Sequence, residues 1–315
     1  MIAIFYRRNG KLSVSQSESD LSEMSRDDVL WIDLLSPSGE EKHTVDIFLG
    51  EEIQSRAQAE EIESSSRFFE TENAIFANTN FLMPGPEDYT MEAVSFTLVG
   101  NCLTTLRDVP LRSFTELQRR LVAMPQLYPN GFSVFASIMD QRVDLDADMI
   151  ELMSKEISQY SKRINQQEDI NEDFLLDINQ LQENTMLVRE NIVDKQRLIS
   201  NMLRSDKYPR ELQTRFSVLL QDLSSLINHT NFSFERLEYL QDTVVGLINL
   251  DQNKIMRIFT LVSVLFMPPT LVASFYGMNV HLPFMDKWWA WLSVFGIMLL
   301  TVALVMYFFR RNKLL

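Results

Sequence analysis

The chain has 315 residues, 46% of them hydrophobic, and a formal charge of −14; this excludes a disordered polymer and leaves room for one large domain or two modest ones. The charge is uneven: residues 251–315 hold 6 Lys+Arg against 2 Asp+Glu, which leaves 23 against 41 for residues 1–250. An acidic front disfavours nucleic acid, whose phosphates need basic partners, and suits cations or plain solubility.

A single cysteine, Cys102, excludes an intrachain disulfide and a thiolate metal cluster, and points to a reducing compartment. The opening "MIAIFYRRNG" puts its charges after a short apolar run, the reverse of a secretory signal.

In chain order, "MIAIFYRR", "VLWIDLL", "AIFANTNFLM", "AVSFTLV" and "CLTTLR" are rich in β-branched and aromatic residues and read as strands. Gly100-Asn101 separates the last two as a hairpin turn would. "SPSGEEKHTVDIFLG" reads as a helix with Ser36 as N-cap, Pro37 at the first position and Gly50 at the close. Residues 1–128 are therefore expected to form a cytoplasmic mixed α/β domain.

Residues 129–208 contain no proline between Pro129 and Pro209 and carry recurring Leu, Ile, Met and Val among charges, as an acidic amphipathic helical hairpin would. Its turn is expected near Asn165–Asp173. "DQRVDLDAD", Asp140–Asp148, has a calcium loop's acids, but Met149 stands in place of the Gly and Lys155 in place of the closing Glu. Most of these carboxylates read as a solvated face. Pro209 fits a first helical position, and one helix from there to Tyr276 would be roughly 100 Å long at 1.5 Å per residue. Such a length suits a stalk, residues 209–254, that leaves a membrane.

Two membrane spans are expected, 255–276 and 288–309, each near the ~20 residues that a bilayer core demands. The first carries only Arg257 and the second no charge. Trp288, Trp289 and Trp291 at one edge and Tyr307 near the other fit an interfacial aromatic belt. Lys254 and Arg257 precede the first span, and Arg310, Arg311 and Lys313 belong to a basic tail, 310–315, after the second. The positive-inside rule then puts both termini in the cytoplasm and the loop 277–287 outside.

Steps of four and three along the long helix from Asp242 meet Gly246, Asn249, Asn253, Met256 and Thr260. They continue through Ser263, Met267, Thr270, Ser274 and Gly277. Every residue is polar, small or a flexible thioether. A mean spacing of 3.5 keeps one face toward a neighbour in a left-handed supercoil. A packing seam between membrane helices explains the small residues, and a water-lined pore also explains Asp242 and Asn253. Pro268 and Pro269 lack N–H groups and free carbonyls one turn earlier, which either a wet axis or neighbouring helices would satisfy.

"YGMNV", Tyr276–Val280, between two C-terminal spans resembles the signature of the CorA magnesium and cobalt channel family. "NLDQNKIMRIF", "MPPTLVASFYGMN", "EEIESSSRFFE", "WIDLL" and "LTTLRDVPL" extend the resemblance over essentially the whole chain. The resemblance implies a funnel-shaped homopentamer in a bacterial inner membrane. The first membrane helix of each subunit would line one pore.

Asn253 and Met256 would then line the cytoplasmic throat, with Met267, Thr270 and Ser274 above them. Gly277, Met278 and Asn279 would form the selective mouth, and Asp242 would sit near the inner end of the stalk. Gly277 is expected to take a helix-ending conformation closed to residues with a Cβ. Asn279 would meet Mg²⁺ through its hydration water. No cofactor is implied beyond transported and regulatory Mg²⁺, with Co²⁺ or Ni²⁺ as further cargo. Cations bridging acidic residues between subunits would favour a closed state.

The partners expected are further copies of the chain, the lipid bilayer and divalent cations. A zinc transporter of the same superfamily and a non-conducting tethered scaffold are the alternatives. An enzyme is not expected: there is no Gly-x-Ser-x-Gly elbow and no Walker loop, and His43, His229 and His281 lie far apart. "VHLPFMDKWW" departs from the family's usual Met-Pro-Glu-Leu and offers only Asp286 beside Lys287, a weaker outer field.

Overall fold

The computed structural model describes residues 1–8, 10–54, 67–85, 89–166, 170–278 and 287–311. Asn279, His281 and Asp286 of the expected outer loop, most of "EEIESSSRFFE" and the end of the basic tail lie outside the described residues.

The apolar, β-branched runs form strands that build one sheet: β1 (Ile2–Arg8), β2 (Lys11–Ser15), β3 (Val29–Leu35), β4 (Phe68–Glu70), β5 (Ala74–Pro84), β6 (Tyr89–Val99) and β7 (Cys102–Arg107). Their order is β2-β1-β3-β7-β6-β5-β4, with β3 and β7 parallel and the other neighbours antiparallel. β2 and β4 were not anticipated. Val99 pairs with Cys102 across Gly100, whose φ is +59°, so glycine supplies the positive φ that a two-residue hairpin needs.

Helix α1 (Gly39–Leu49) corrects one expectation. Its N-cap is Ser38, not Ser36: Ser38 Oγ accepts from Glu41 N at 3.1 Å and Glu41 Oε2 accepts from Ser38 N at 2.8 Å, a reciprocal box. Ser36 instead turns the chain at φ 42°, its N–H donating to Arg107 O and its hydroxyl to Asp108 O. Gly50 closes the helix in the left-handed region at φ 69°.

Side chains alternate across the sheet. Ile4, Ile32 and Leu34 face Val45 and Leu49 of α1 in one apolar core. On the other face Trp31 stacks on Phe5 at 5.0 Å and meets Phe114 of α2 (Arg112–Ala123), while Phe96 meets Phe135 of α3 (Gly131–Gln166) edge-on. Gly131 is where α3 crosses the β6–β7 turn. Its N–H donates to Asn101 O at 2.6 Å, and a Cβ there would stand 2.4 Å from Leu103 N.

α3 ends at Gln166 and α4 (Glu172–Arg204) begins behind Asn171, which caps Phe174 N. The acidic hairpin and the sheet belong to one compact unit, Met1–Gln241. Part of its acidic run is buried. Asp146 is 1% exposed and is held by Arg142 at 2.6 Å and by Lys195 of α4 at 2.9 Å, while Asp140 accepts from Arg215 Nε at 2.6 Å. Asp144 and Asp148 are exposed as expected.

Residues Asp242–Leu315 form a second unit. Helix α5 runs from Gln213 to Tyr276 after a short 3-10 turn, Arg210–Leu212. Pro209 therefore precedes that turn in extended backbone, and is not the first residue of the long helix as expected. The last helix, α6, spans Ala290–Arg311 and not 288–309: Trp288 and Trp289 precede it, and Arg310 and Arg311 form its last turn. The C-terminal end of α5 and α6 are both apolar and long enough to cross a bilayer.

Candidate functional site

All the polar and small residues expected to act on the ion, from Asp242 to Ser274, fall within α5. Each of the ten is exposed, as are Gly277 and Met278 just beyond the helix end. One chain lays them out as a line and does not close a cavity around them. A straight α-helix rotates a 3.5-residue repeat by ~20° per heptad, about 100° over the five heptads from Asp242 to Gly277. The line is therefore a single seam only when copies of the helix coil around one another with left-handed twist.

The opposite chemistry lies on the rest of the helix, where Ile258, Phe259, Val262, Phe266 and Leu271 are also exposed. Exposure does not separate the two faces. Side-chain chemistry does: oxygen, amide and thioether on one, branched and aromatic hydrocarbon on the other.

The hydroxyls add a detail that sequence reading missed. Thr260 donates its proton to Met256 O at 2.8 Å and Thr270 donates to Phe266 O at 2.7 Å. A threonine that has spent its proton on its own helix presents only lone pairs outward. Waters held by a cation point their hydrogens away from it, so acceptors of this kind match a hydrated ion. The period that places Thr260 and Thr270 on the helix also brings each within reach of the carbonyl four residues back.

Pro268 and Pro269 sit inside the continuous helix. Because each lacks an N–H, the carbonyls of Val264 and Leu265 lose their usual partners, directly before the carbonyl that Thr270 engages. Local polar groups thus gather on this turn of an otherwise hydrocarbon segment.

Gly277 behaves differently from the expectation. Its N–H donates to Ala273 O at 2.9 Å, closing a last helical bond, and its φ lies outside the left-handed region that Gly10, Gly50 and Gly100 occupy. Close approach is what favours glycine here, since a Cβ would stand 3.2 Å from Ala273 O. Asn279, the proposed ion-recognition amide, lies outside the described residues.

α6 carries no charge before its last turn, and its hydroxyls bond within the helix as those of Thr260 and Thr270 do. Ser293 donates to Ala290 O at 2.7 Å and Thr301 to Met298 O at 2.8 Å, so their hydroxyl protons are satisfied within the helix. Lys287 Nζ lies 5.9 Å from the Trp289 ring at the start of this segment, a cation–π pair suited to an interface. Among the described residues no group of three or more His, Cys, Asp or Glu could hold a metal ion.

Comparison with known proteins gives a consistent family. Residues 26–311 match the family model described as CorA-like Mg²⁺ transporter protein. The magnesium transport protein CorA of Wolinella succinogenes is 32% identical over 99% of both chains, and that of Salmonella typhimurium is 30% identical over 100% of both. Among solved structures, the CorA magnesium transporter from Methanocaldococcus jannaschii superposes with a TM-score of 0.81 over 99% of this chain and 98% of that one, at 17% identity. The full-length CmaX protein gives 0.74 over 99% and 97%, at 16% identity. With curated relatives matched end to end and the family model covering both apolar helices, this chain belongs to the CorA family.

Proposed function

We propose that the protein is a channel for Mg²⁺, with Co²⁺ and Ni²⁺ as further cargo, in the inner membrane of a bacterium, and not an enzyme. Five copies surround one axis, each contributing α5 to the pore wall. The observation that carries this reading is the line of exposed polar, small and thioether side chains along α5, which runs from Asp242 to Ser274 through the hydrocarbon segment. Both termini lie in the cytoplasm in this reading, with Arg257 and Arg310–Arg311 at the inner face and Trp288–Trp289 at the outer.

The chemistry follows from the ion. Mg²⁺ holds its octahedral water shell tightly at about 2.0–2.1 Å and sheds it reluctantly. Neutral acceptors suit it: Asn279 carbonyls at the mouth, with backbone carbonyls near Gly277 and Met278, take hydrogen bonds from polarised water without trapping the cation as a carboxylate ring would. Ser274, Thr270, Ser263 and Thr260 pass the hydrated ion inward by the same bonds. Met267 and Met256 supply apolar rings that close the path by dewetting, and Asn253, Asn249, Gly246 and Asp242 lead it into the cytoplasm. A divalent ion gains roughly 4.6 kcal/mol at 100 mV, twice the ~2.3 kcal/mol of a single charge, so inward flow needs no other energy source. Feedback by cytoplasmic Mg²⁺ draws its carboxylates from more than one copy in this reading.

Zn²⁺ as the main cargo is the alternative; the cytoplasmic domain of ZntB from Vibrio parahaemolyticus superposes at a TM-score of 0.57 and 14% identity, a likeness of fold alone. The test is uptake by purified protein in vesicles, with Mg²⁺, Co²⁺, Ni²⁺ and Zn²⁺ supplied separately and hexaamminecobalt, which mimics hydrated Mg²⁺, as blocker. Mg²⁺ uptake that the mimic stops is expected. Uptake indifferent to the mimic, or Zn²⁺ uptake that Mg²⁺ does not compete with, contradicts the reading.

A further inference from the structure

We propose that a basic, apolar face formed by the β1–β2 hairpin and α2 docks on an acidic, apolar face of α4 in a second copy of this chain. This rests on the assembled reading above and names a contact through which the copies recognise one another.

The first face stands out by its charge. In a chain of net −14, residues 1–17 contain Arg7, Arg8 and Lys11 and no acid. Arg7 reaches across to α2's end, donating to Pro125 O at 3.0 Å and Tyr128 O at 2.7 Å, which holds the hairpin beside the turn after α2. Arg8, Lys11, Arg119 and Arg120 are all exposed. Among them lie Val14, Val122, Met124 and Leu127, each between 45% and 59% exposed. A groove between β2 and α2 runs through this patch, lined by Phe5, Val14, Thr115, Gln118, Arg119 and Val122. β2 is also an edge strand of the sheet. Asp140 and Asp144 stand beside Arg120 and Leu127 at one margin and Glu116 pairs with Arg112, so the rim is mixed there and basic toward Arg8, Lys11 and Arg119; apolar side chains gathered at an exposed strand edge within such a rim mark a protein contact.

α4 supplies the complement. One side of it is buried through Phe174, Ile178, Leu181, Val188 and Ile192. At 100° per residue the opposite side carries Leu176, Glu183, Met186 and Glu190, flanked by Asp173 and Asp177, all of them exposed. Leu176 is 64% exposed and Met186 48%, so this face too has apolar knobs within a charged rim, now of negative sign. Met and Leu side chains suit a groove lined by Val14, Phe5 and Val122, and the two rims attract.

Because the two faces are different surfaces of one chain, the contact is head-to-tail, and its repetition closes a ring when the rotation between neighbours divides a full turn. A patch that met itself would instead place four cations of each copy against four of the other. Charge therefore selects the heterologous arrangement.

The test uses full-length protein with cysteines introduced pairwise, one at Val14, Val122 or Met124 and one at Leu176 or Met186, joined by a flexible bismaleimide. Cys102 is 0% exposed, so the introduced thiols report alone. At least one pair is expected to give a covalent ladder, and neither cysteine of that pair alone is expected to. Arg119→Glu with Arg120→Glu should lower the ladder's yield about tenfold, and Glu183→Lys with Glu190→Lys should restore it. Native mass spectrometry of the parent protein reads the assembly separately. A defined oligomer with no ladder from any pair overturns this contact and spares the assembled channel, whereas a monomer overturns both. A ladder from Val122→Cys alone assigns the face to itself. Shielding of that thiol by anionic vesicles without a ladder assigns it to a membrane, and either result overturns the proposal.

Discussion

Arg107 grips Asp33 inside the sheet with two bonds, Nη2 to Oδ2 at 2.7 Å and Nε to Oδ1 at 3.2 Å, and neither side chain is more than 5% exposed. Thr105 and Gln118 fill the carboxylate's remaining positions at 2.8 Å each, so β3, β7 and α2 meet on one buried charge. Arg107→Ala leaves that charge uncompensated and is expected to destabilise the protein by about 3–5 kcal/mol, read as a fall in the thermal midpoint of the Met1–Gln241 unit in detergent. A midpoint within a degree or two of the parent's would refute the assignment.

Lys195 is fully buried between Asp146 and Arg142, and burial, opposed by Asp146, pushes its ammonium down to about 8. Its unfolded value is about 10.4, so between about pH 8 and 10.4 the unfolded chain holds a proton that the folded chain has released. Stability from this group is therefore lowest below pH 8 and rises through that window. Lys195→Met should flatten the rise in a series of denaturation midpoints against pH, and an unchanged slope would show that another group governs it.

Gly131 allows α3 to lie against the backbone of β7. With a Cβ only 2.4 Å from Leu103 N, Gly131→Ala forces the helix off the strand at a cost of about 1–3 kcal/mol or more. Gly246 in α5 has nothing within 4 Å of a Cβ in its own chain, and Gly246→Ala should leave the fold intact or favour it by roughly 0.5–1 kcal/mol. Paired melting curves check the contrast.

Burial pushes the Cys102 thiol up to about 12. Maleimide is expected to leave it unmodified in folded protein at neutral pH and to label it fully after denaturation. Rapid labelling of the native protein would mean that β7 opens.

Much of this architecture was legible because its signals are periodic. The central strands follow runs of branched and aromatic residues, and the stripe on α5 follows a heptad that holds through both polar and apolar sequence. β2 was missed because "KLSVS" is short and two of its 5 residues are serine, β4 because it has three residues, and α2 because Leu111 offers no capping side chain. Ser36 and Ser38 flank Pro37 alike, yet only Ser38 has a glutamate three residues on, and that spacing identifies the cap. Lys195 carried a readable signal as well: it falls seven residues after Val188 and three after Ile192, in phase with the buried side of α4. The Asp33–Arg107 pair had no local signal, since its partners are 74 residues apart and meet only when β3 and β7 align in parallel.

The central claim is that α5 and the Gly277-Met278-Asn279 mouth conduct hydrated Mg²⁺. It is tested most directly by Mg²⁺ influx into vesicles holding the purified full-length protein, at an imposed potential of about 100 mV, negative inside. Influx should rise with the potential and be lost in Asn279→Ala, with the variant's oligomer unchanged on native mass spectrometry. Influx that is the same in Asn279→Ala as in the parent, or no influx from the parent at all, would contradict it.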